Sequence, residues 1–236
     1  AYIGREPAPV RVFERYLGDV QRYLRGEPVD IDGFESNNRW IADSGQPKVS
    51  IDVAATGPRV ISLAAVNAER VSLAVGADPE RITAGMDRAR TARADAGLDP
   101  EDLSFGAYVN CTAHPDKATA RRLISGSVGT FAHFSGMAGA PTEGLEDQAV
   151  FESVAANYDM ANHARIAAAH TAALDDDFID RFAVAGPVDY CVERLGGLLE
   201  LGLDRVIFVT LSGDADPADV AAGNHRLASE VFPQLR

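Results

Sequence analysis

Hydrophobic positions fall at helical spacing from the start of the chain. After Pro7 and Pro9, residues Val12, Phe13, Tyr16, Leu17, Val20, Tyr23 and Leu24 line one stripe of an amphipathic helix that Gly26 ends. EPVDIDGF then alternates Val29 and Ile31 with polar residues around Asp32-Gly33, which predicts a short hairpin. SNNRWIADSGQPK shows neither period and reads as loop.

From residue 49 the pattern changes to short apolar runs separated by helical segments. It predicts strands at 49–54, 70–75 and 104–110, with helices at 58–67 and 79–96 and from Pro115 onward. Such alternation means βαβ units and a parallel sheet, because a parallel crossover needs a connection long enough to hold a helix. Each helix opens on proline, in GP, DP and HP, where the fixed φ and missing N–H suit a first turn. From Pro115 to about residue 175 only helical periodicity is found, broken by FSGMAGAPTEG, so a helical insertion follows the third strand. DDFIDRFAVAGPVDYCVERLGGLLELG reads as helix, 205–210 as a fourth buried strand, and the remainder as a closing helix. A closed (β/α)8 barrel needs eight strands, and the opening helix, hairpin and insertion leave room for four.

Composition narrows the class. A chain of 236 residues with 46% hydrophobic content can bury a large core, which excludes disorder as the dominant state. The 22 Lys and Arg against 35 Asp and Glu leave a net charge of −13 without a charged tail, so nucleic acid is not an expected partner. Cys111 and Cys191 lie far apart in sequence, with no CxxC and no Cys/His ligand spacing; free thiols, a reducing compartment and no metal are expected. No apolar run nears the roughly 18 residues of a membrane helix and no signal peptide is visible, so a cytoplasmic protein is expected. The chain opens on Ala1 in the loop-like AYIGREPAP, which reads as a chain lacking an earlier segment.

The strongest chemical signal is Asp52-Val53-Ala54-Ala55-Thr56-Gly57-Pro58-Arg59, which joins a strand directly to a helix through small residues. Ala54, Ala55 and Gly57 let a ligand approach the backbone, Thr56 offers a hydroxyl, and free amides at a helix start bind oxyanions. The same residues fit a tight turn capped by Thr56 with no ligand. Val75, Gly76 and Ala77 form a second such turn on the neighbouring strand; either their backbone touches the same phosphate, where Asp78 itself would be unfavourable, or Asp78 simply caps the next helix. Asn110, Cys111, Thr112 and His114 end the third strand on the face where α/β barrels place their chemistry; His114 is a substrate contact, a proton donor or a cap. His133, His163, His170 and His225 show no metal-like pairing and read as surface or packing residues. Ser125 and Ser127 lack a nucleophile elbow.

The segments IGREPAP, KVSIDVAATGPRVISLAA, AERVSLAVGADPERI and FAVAGPVDYCVERLGGLLELGLDRVIF together resemble the coenzyme F420-dependent branch of the luciferase-like monooxygenase superfamily, near the methylenetetrahydromethanopterin reductase-like proteins. The resemblance implies an α/β fold, a (β/α)8 TIM barrel of the bacterial luciferase-like type, here a single domain over 1–236 that lacks its N-terminal strands. It implies an oxidoreductase that transfers a hydride between coenzyme F420 and a small organic substrate, with the cofactor supplying the chemistry. The cofactor phosphate region falls by match on Ala54, Ala55, Thr56 and Gly57, with Val75, Gly76 and Ala77. Catalytic residues are expected in the absent part and are unknown here. An FMN-dependent monooxygenase on the same fold, and a non-enzymatic barrel fragment that binds no flavin, are the alternatives. Further expectations are a homo-oligomer, no membrane partner and no metal.

Overall fold

The computed structural model describes residues 8–137, 147–210 and 212–235. Helix α1 (Val10–Leu24) buries Leu17 and Gln21. It leads into the hairpin β1 (Val29–Ile31) and β2 (Phe34–Ser36), in which Ile31 pairs with Phe34. The turn works because Asp32 and Gly33 both take positive φ, at 54° and 86°, which matches the twist of a two-residue hairpin. The stretch expected as loop contains one helical turn, α2 (Arg39–Asp43), held by the Asn38 side chain, which accepts from the Ile41 amide. Five residues are too few to display a period.

The βαβ series follows: β3 (Asp52–Ala55), α3 (Pro58–Asn67), β4 (Arg70–Leu73), α4 (Pro79–Asp95) and β5 (Ser104–Ala113). The helical insertion comprises α5 (Lys117–Met137), α6 (Gln148–Ala156), two short 3-10 turns and α7 (Asp176–Phe182). The chain returns through β6 (Val184–Gly186), α8 (Val188–Glu200) and β7 (Arg205–Val209), and continues in α9 (Pro217–Arg226). All sheet pairings of β3 to β7 are parallel. β4 lies between β3 and β5; β7 pairs with Gly106 to Asn110 of β5, and β6 with Cys111 to Ala113. The four expected strands therefore lie in one sheet as neighbours. The first begins at Asp52 rather than residue 49, and the expected helix after residue 175 is interrupted by β6.

One face of the sheet is apolar. Val53, Ala55, Val71, Leu73, Phe105, Ala107 and Val109 are buried and form a continuous core with Ile61, Ala64, Ile82, Met86 and Leu195 of the helices. A second cluster, built on Ile124, Val128, Phe151, Phe178 and Phe182, consolidates the insertion. On the other, inner face the register places Ala54, Ser72, Gly106 and Arg205 at one level. The Arg205 guanidinium reaches Asp52 at 2.9 Å, the Ser104 hydroxyl at 2.7 Å and the Ser72 hydroxyl at 3.2 Å. Gly106 makes room, since a Cβ there would stand 2.9 Å from the Arg205 Cγ and the Ser72 Oγ.

The two cysteines, remote in sequence, meet in the fold without forming a disulfide. Cys111 on β5 and Cys191 on α8 are fully buried, and the Cys191 thiol together with burial holds the Cys111 thiol well above its ordinary range. Among the described residues no group of His, Cys, Asp or Glu could hold a metal ion, and no helix is long and apolar enough to cross a membrane.

Candidate functional site

The turns at the C-terminal ends of β3 and β4 are adjacent, tied by the Ala74 amide donating to the Ala55 carbonyl at 2.8 Å. The first leaves its helix start uncapped. Gly57, not Thr56, occupies the N-cap of α3 in an extended conformation, and no side chain caps the helix. The first-turn donors of α3 thus lack the carboxylate that satisfies α4, α7 and α9, capped by Asp78, Asp175 and Asp216. The Thr56 hydroxyl is half-buried and has no hydrogen bond among the described residues. Ala54 is exposed on the inner face and Ala55 buried beneath it.

The second turn is built differently. Asp78 accepts from the amides of Glu80 and Arg81, so its role is that of a cap. Val75, Gly76 and Ala77 are buried, and three of their backbone atoms are engaged within the protein. The Val75 carbonyl takes the buried Arg81 Nε at 2.8 Å, the Ala77 amide donates to the Phe182 carbonyl at 2.7 Å, and the Ala77 carbonyl accepts from Arg194 at 3.0 Å. Gly76 sits at φ 89° with the Phe182 ring over it; a Cβ would stand 2.5 Å from that ring. The close approach that glycine permits is thus occupied by Phe182 from the insertion, a contact with no local sequence signal.

At the end of β5, His114 is a turn residue. Its amide donates to the Gly186 carbonyl and its Nδ1 contacts Asp116 N and O at 3.0 and 2.9 Å. Asn110 shares the inner face with Gly106 and Tyr108. It is fully buried, and neither its Oδ1 nor its Nδ2 finds a partner among the described residues. A buried amide with both polar atoms unpaired is a site for water or a polar ligand group. Ser125 and Ser127 bond back to the Arg122 and Ile124 carbonyls and carry no activated hydroxyl. His133, His163 and His170, which the sequence leaves as unrelated packing residues, converge on Tyr158 in the insertion.

A cavity of about 850 Å³ opens at the opposite, N-terminal ends of the strands, among Gln21, Glu69, Arg70, Arg93 and Asp204. Its polar groups are largely paired with one another. Glu69 takes Lys48 at 3.0 Å and the Ile51 amide at 2.8 Å, contacts that hold its carboxyl below the usual range against the opposing effect of burial. This end of an α/β barrel serves stability rather than chemistry.

With this geometry in place, comparison with known proteins is specific. A curated 5,10-methylenetetrahydromethanopterin reductase from Methanolobus tindarius is 24% identical over 207 residues, 84% of this chain and 60% of its own length. Among solved structures, a coenzyme F420-dependent tetrahydromethanopterin reductase from Methanopyrus kandleri superposes with a TM-score of 0.64 at 18% identity, over 98% of this chain and 65% of that one. The oxygenating constituent of the 3,6-diketocamphane monooxygenase of Pseudomonas putida, a type II Baeyer-Villiger monooxygenase in complex with FMN, gives 0.55 at 15% identity, over 99% and 65%. The chain thus spans about 60% of the length of its curated relative, and it shares the luciferase-like TIM-barrel fold with the two structures. Because the family model for luciferase-like monooxygenases matches residues 5–205, the chain belongs to that family.

Proposed function

We propose that this chain carries the phosphate-binding part of a flavin-type site and serves hydride transfer between coenzyme F420 and a small organic substrate. The observation that supports this most is the uncapped N-terminus of α3, whose first-turn amides have no side-chain acceptor. Thr56 adds a hydroxyl and Ala54 a low wall, Ala55 contributes backbone only, and Val75, Gly76 and Ala77 form the adjacent wall rather than the main donor set. Asn110 supplies one donor and one acceptor on the inner face. These groups fit a phosphorylated cofactor with a hydrogen-bonding ring. When bound, the deazaflavin supplies the hydride chemistry; the chain's residues hold and orient it. FMN is the second candidate, favoured by the FMN complex of the Pseudomonas putida relative.

The test is direct titration of the chain with coenzyme F420 and with FMN, followed by absorbance and fluorescence. Gly57 sits at φ −85° and ψ 151°, a conformation open to any residue, so Gly57→Val places a branched side chain at the helix start without demanding a new backbone conformation. Its affinity is expected to fall by about tenfold or more, a loss of at least ~1.4 kcal/mol. Equal affinity of the variant and the unaltered chain, or binding of neither cofactor, overturns the assignment.

A further inference from the structure

The insertion contains a cluster that the cofactor site does not use. Tyr158 is stacked against His133 of α5, with ring centroids 3.6 Å apart and planes at 8°, and against His170, at 4.3 Å and 27°. Two rings that close and that parallel must lie on opposite faces of Tyr158, so the phenol is sandwiched between imidazoles. The Tyr158 hydroxyl meets His163 Nδ1 at 2.7 Å and Thr130 Oγ1 at 3.3 Å. His170 is fully buried. Its Nδ1 accepts from the Asp159 amide at 3.3 Å, which leaves the proton on Nε2, and that atom has no partner among the described residues. The buried Nδ1 of His133 is likewise unpartnered.

The segment bearing Tyr158, His163 and His170 lies against α5 where that helix has no side chains. A Cβ on Gly126 would stand 2.5 Å from the backbone carbon of Arg165, and one on Gly129 would stand 2.8 Å from the His170 ring. Ala164, at the crossing, holds a positive φ of 57°. The far side is tied to the loop after β7: the Gly213 amide donates to the Ala164 carbonyl at 2.8 Å, and Asp214 accepts from the amides of Ile166 and Ala167 at 2.6 and 3.2 Å. The segment therefore bridges α5 and the C-terminal end of the sheet.

We propose that residues 158–171 form a pH-operated strap, closed on α5 while His133 and His170 are neutral and released when either ring is protonated. A proton on His170 Nδ1 breaks its bond to Asp159; the cation is fully buried at His170 and half-buried at His133, with no carboxylate among the described residues hydrogen-bonded to either ring. The titratable and charged groups around the rings are His163 and Tyr158, Asp159, and Arg165 with Asp214 as an ion pair at 3.9 Å. Of these only Asp159 favours a cation on His170. Burial, with the neighbouring imidazoles second, holds both histidines below the ordinary 6.5. The folded state thus binds fewer protons than the open one, so closure is complete above pH 6.5 and is lost as pH falls through the folded-state values.

Amide hydrogen exchange at pH 7.5 and 5.0, corrected for intrinsic rates, reads the strap at Ile166, Thr171 and Gly213. Protection there is expected to drop at pH 5.0 by up to about tenfold for the first unit that a histidine pKa is depressed and by at most about thirtyfold per histidine, while β4 and β5 stay protected. The double variant His133→Phe, His170→Phe is expected to keep its strap protection at pH 5.0. NMR titration of the imidazoles in the unaltered chain decides the matter if that variant does not fold. Both rings titrating at or above 6.5 with undiminished protection overturns the proposal, as does an equal loss of protection in a folded double variant.

Discussion

At the scale of single residues, the decisive feature of the candidate site is a missing contact. Thr56 and Asp78 each precede a proline-opened helix, but Asp78 adjoins Pro79 whereas Gly57 separates Thr56 from Pro58, and only Asp78 caps. A cap depends on which residue takes the N-cap dihedrals; Gly57 takes them at the first turn, so Thr56, one residue earlier, is not the cap. The polar inner face is silent in sequence, since Asp52, Ser72 and Arg205 are distant along the chain and joined only by register. Replacing Asp52 by Ala removes the carboxylate that accepts from the buried Ser72 hydroxyl and pairs with Arg205, leaving the guanidinium only the Ser72 and Ser104 hydroxyls. The pair is partly solvated, at 23% and 33% side-chain exposure, so the expected loss is modest, about 1–2 kcal/mol in denaturant unfolding. An unchanged midpoint would show that this network contributes nothing to stability.

At the scale of elements, the βαβ series was legible because each strand and helix repeats its period often enough to be recognised. Three elements escaped for physical reasons. α2 is a single turn, β6 has three residues flanked by helices, and the strap has no regular period. The histidine cluster was invisible because positions 133, 158, 163 and 170 meet only when the segment folds back on α5. Glycine usage in the helices separates packing from tolerance. Gly126→Ala forces a methyl into the backbone of residues 164 and 165, which cannot rotate away, and is expected to cost about 1–3 kcal/mol and to loosen the strap. Gly197→Ala in α8 meets nothing within 4 Å and is expected to stabilise by roughly 0.5–1 kcal/mol through helix propensity. Thermal melts of the two variants should move in opposite directions; equal shifts would refute the steric account.

At the scale of the whole molecule, the family resemblance carried by the AATGP turn and the GPVDYCVERL helix anticipated the fold that the comparisons show. No local pattern could reveal that the insertion buries the second turn, because Phe182 reaches Gly76 across more than a hundred residues. Among the described residues β3 and β7 are each hydrogen-bonded to a strand on one side only. Unpaired edges recruit partners. Light scattering of the chain over a range of concentrations is expected to show self-association or capture of complementary strands. A 25.1 kDa monomer that stays stable at high concentration would mean the edges are blunted by some other device.

The salt link between Arg205 and Asp52 has a geometric consequence. It joins the first and fourth strands of the order β3-β4-β5-β7, which in a flat sheet would stand about 14 Å apart, beyond the combined reach of the two side chains. Its 2.9 Å contact is possible because the sheet bends toward that face, and the pair spans the bend as a chord spans an arc. Four strands therefore already possess the bow of a cylinder wall, so a segment completing the ring would meet a template of fixed radius instead of having to impose one.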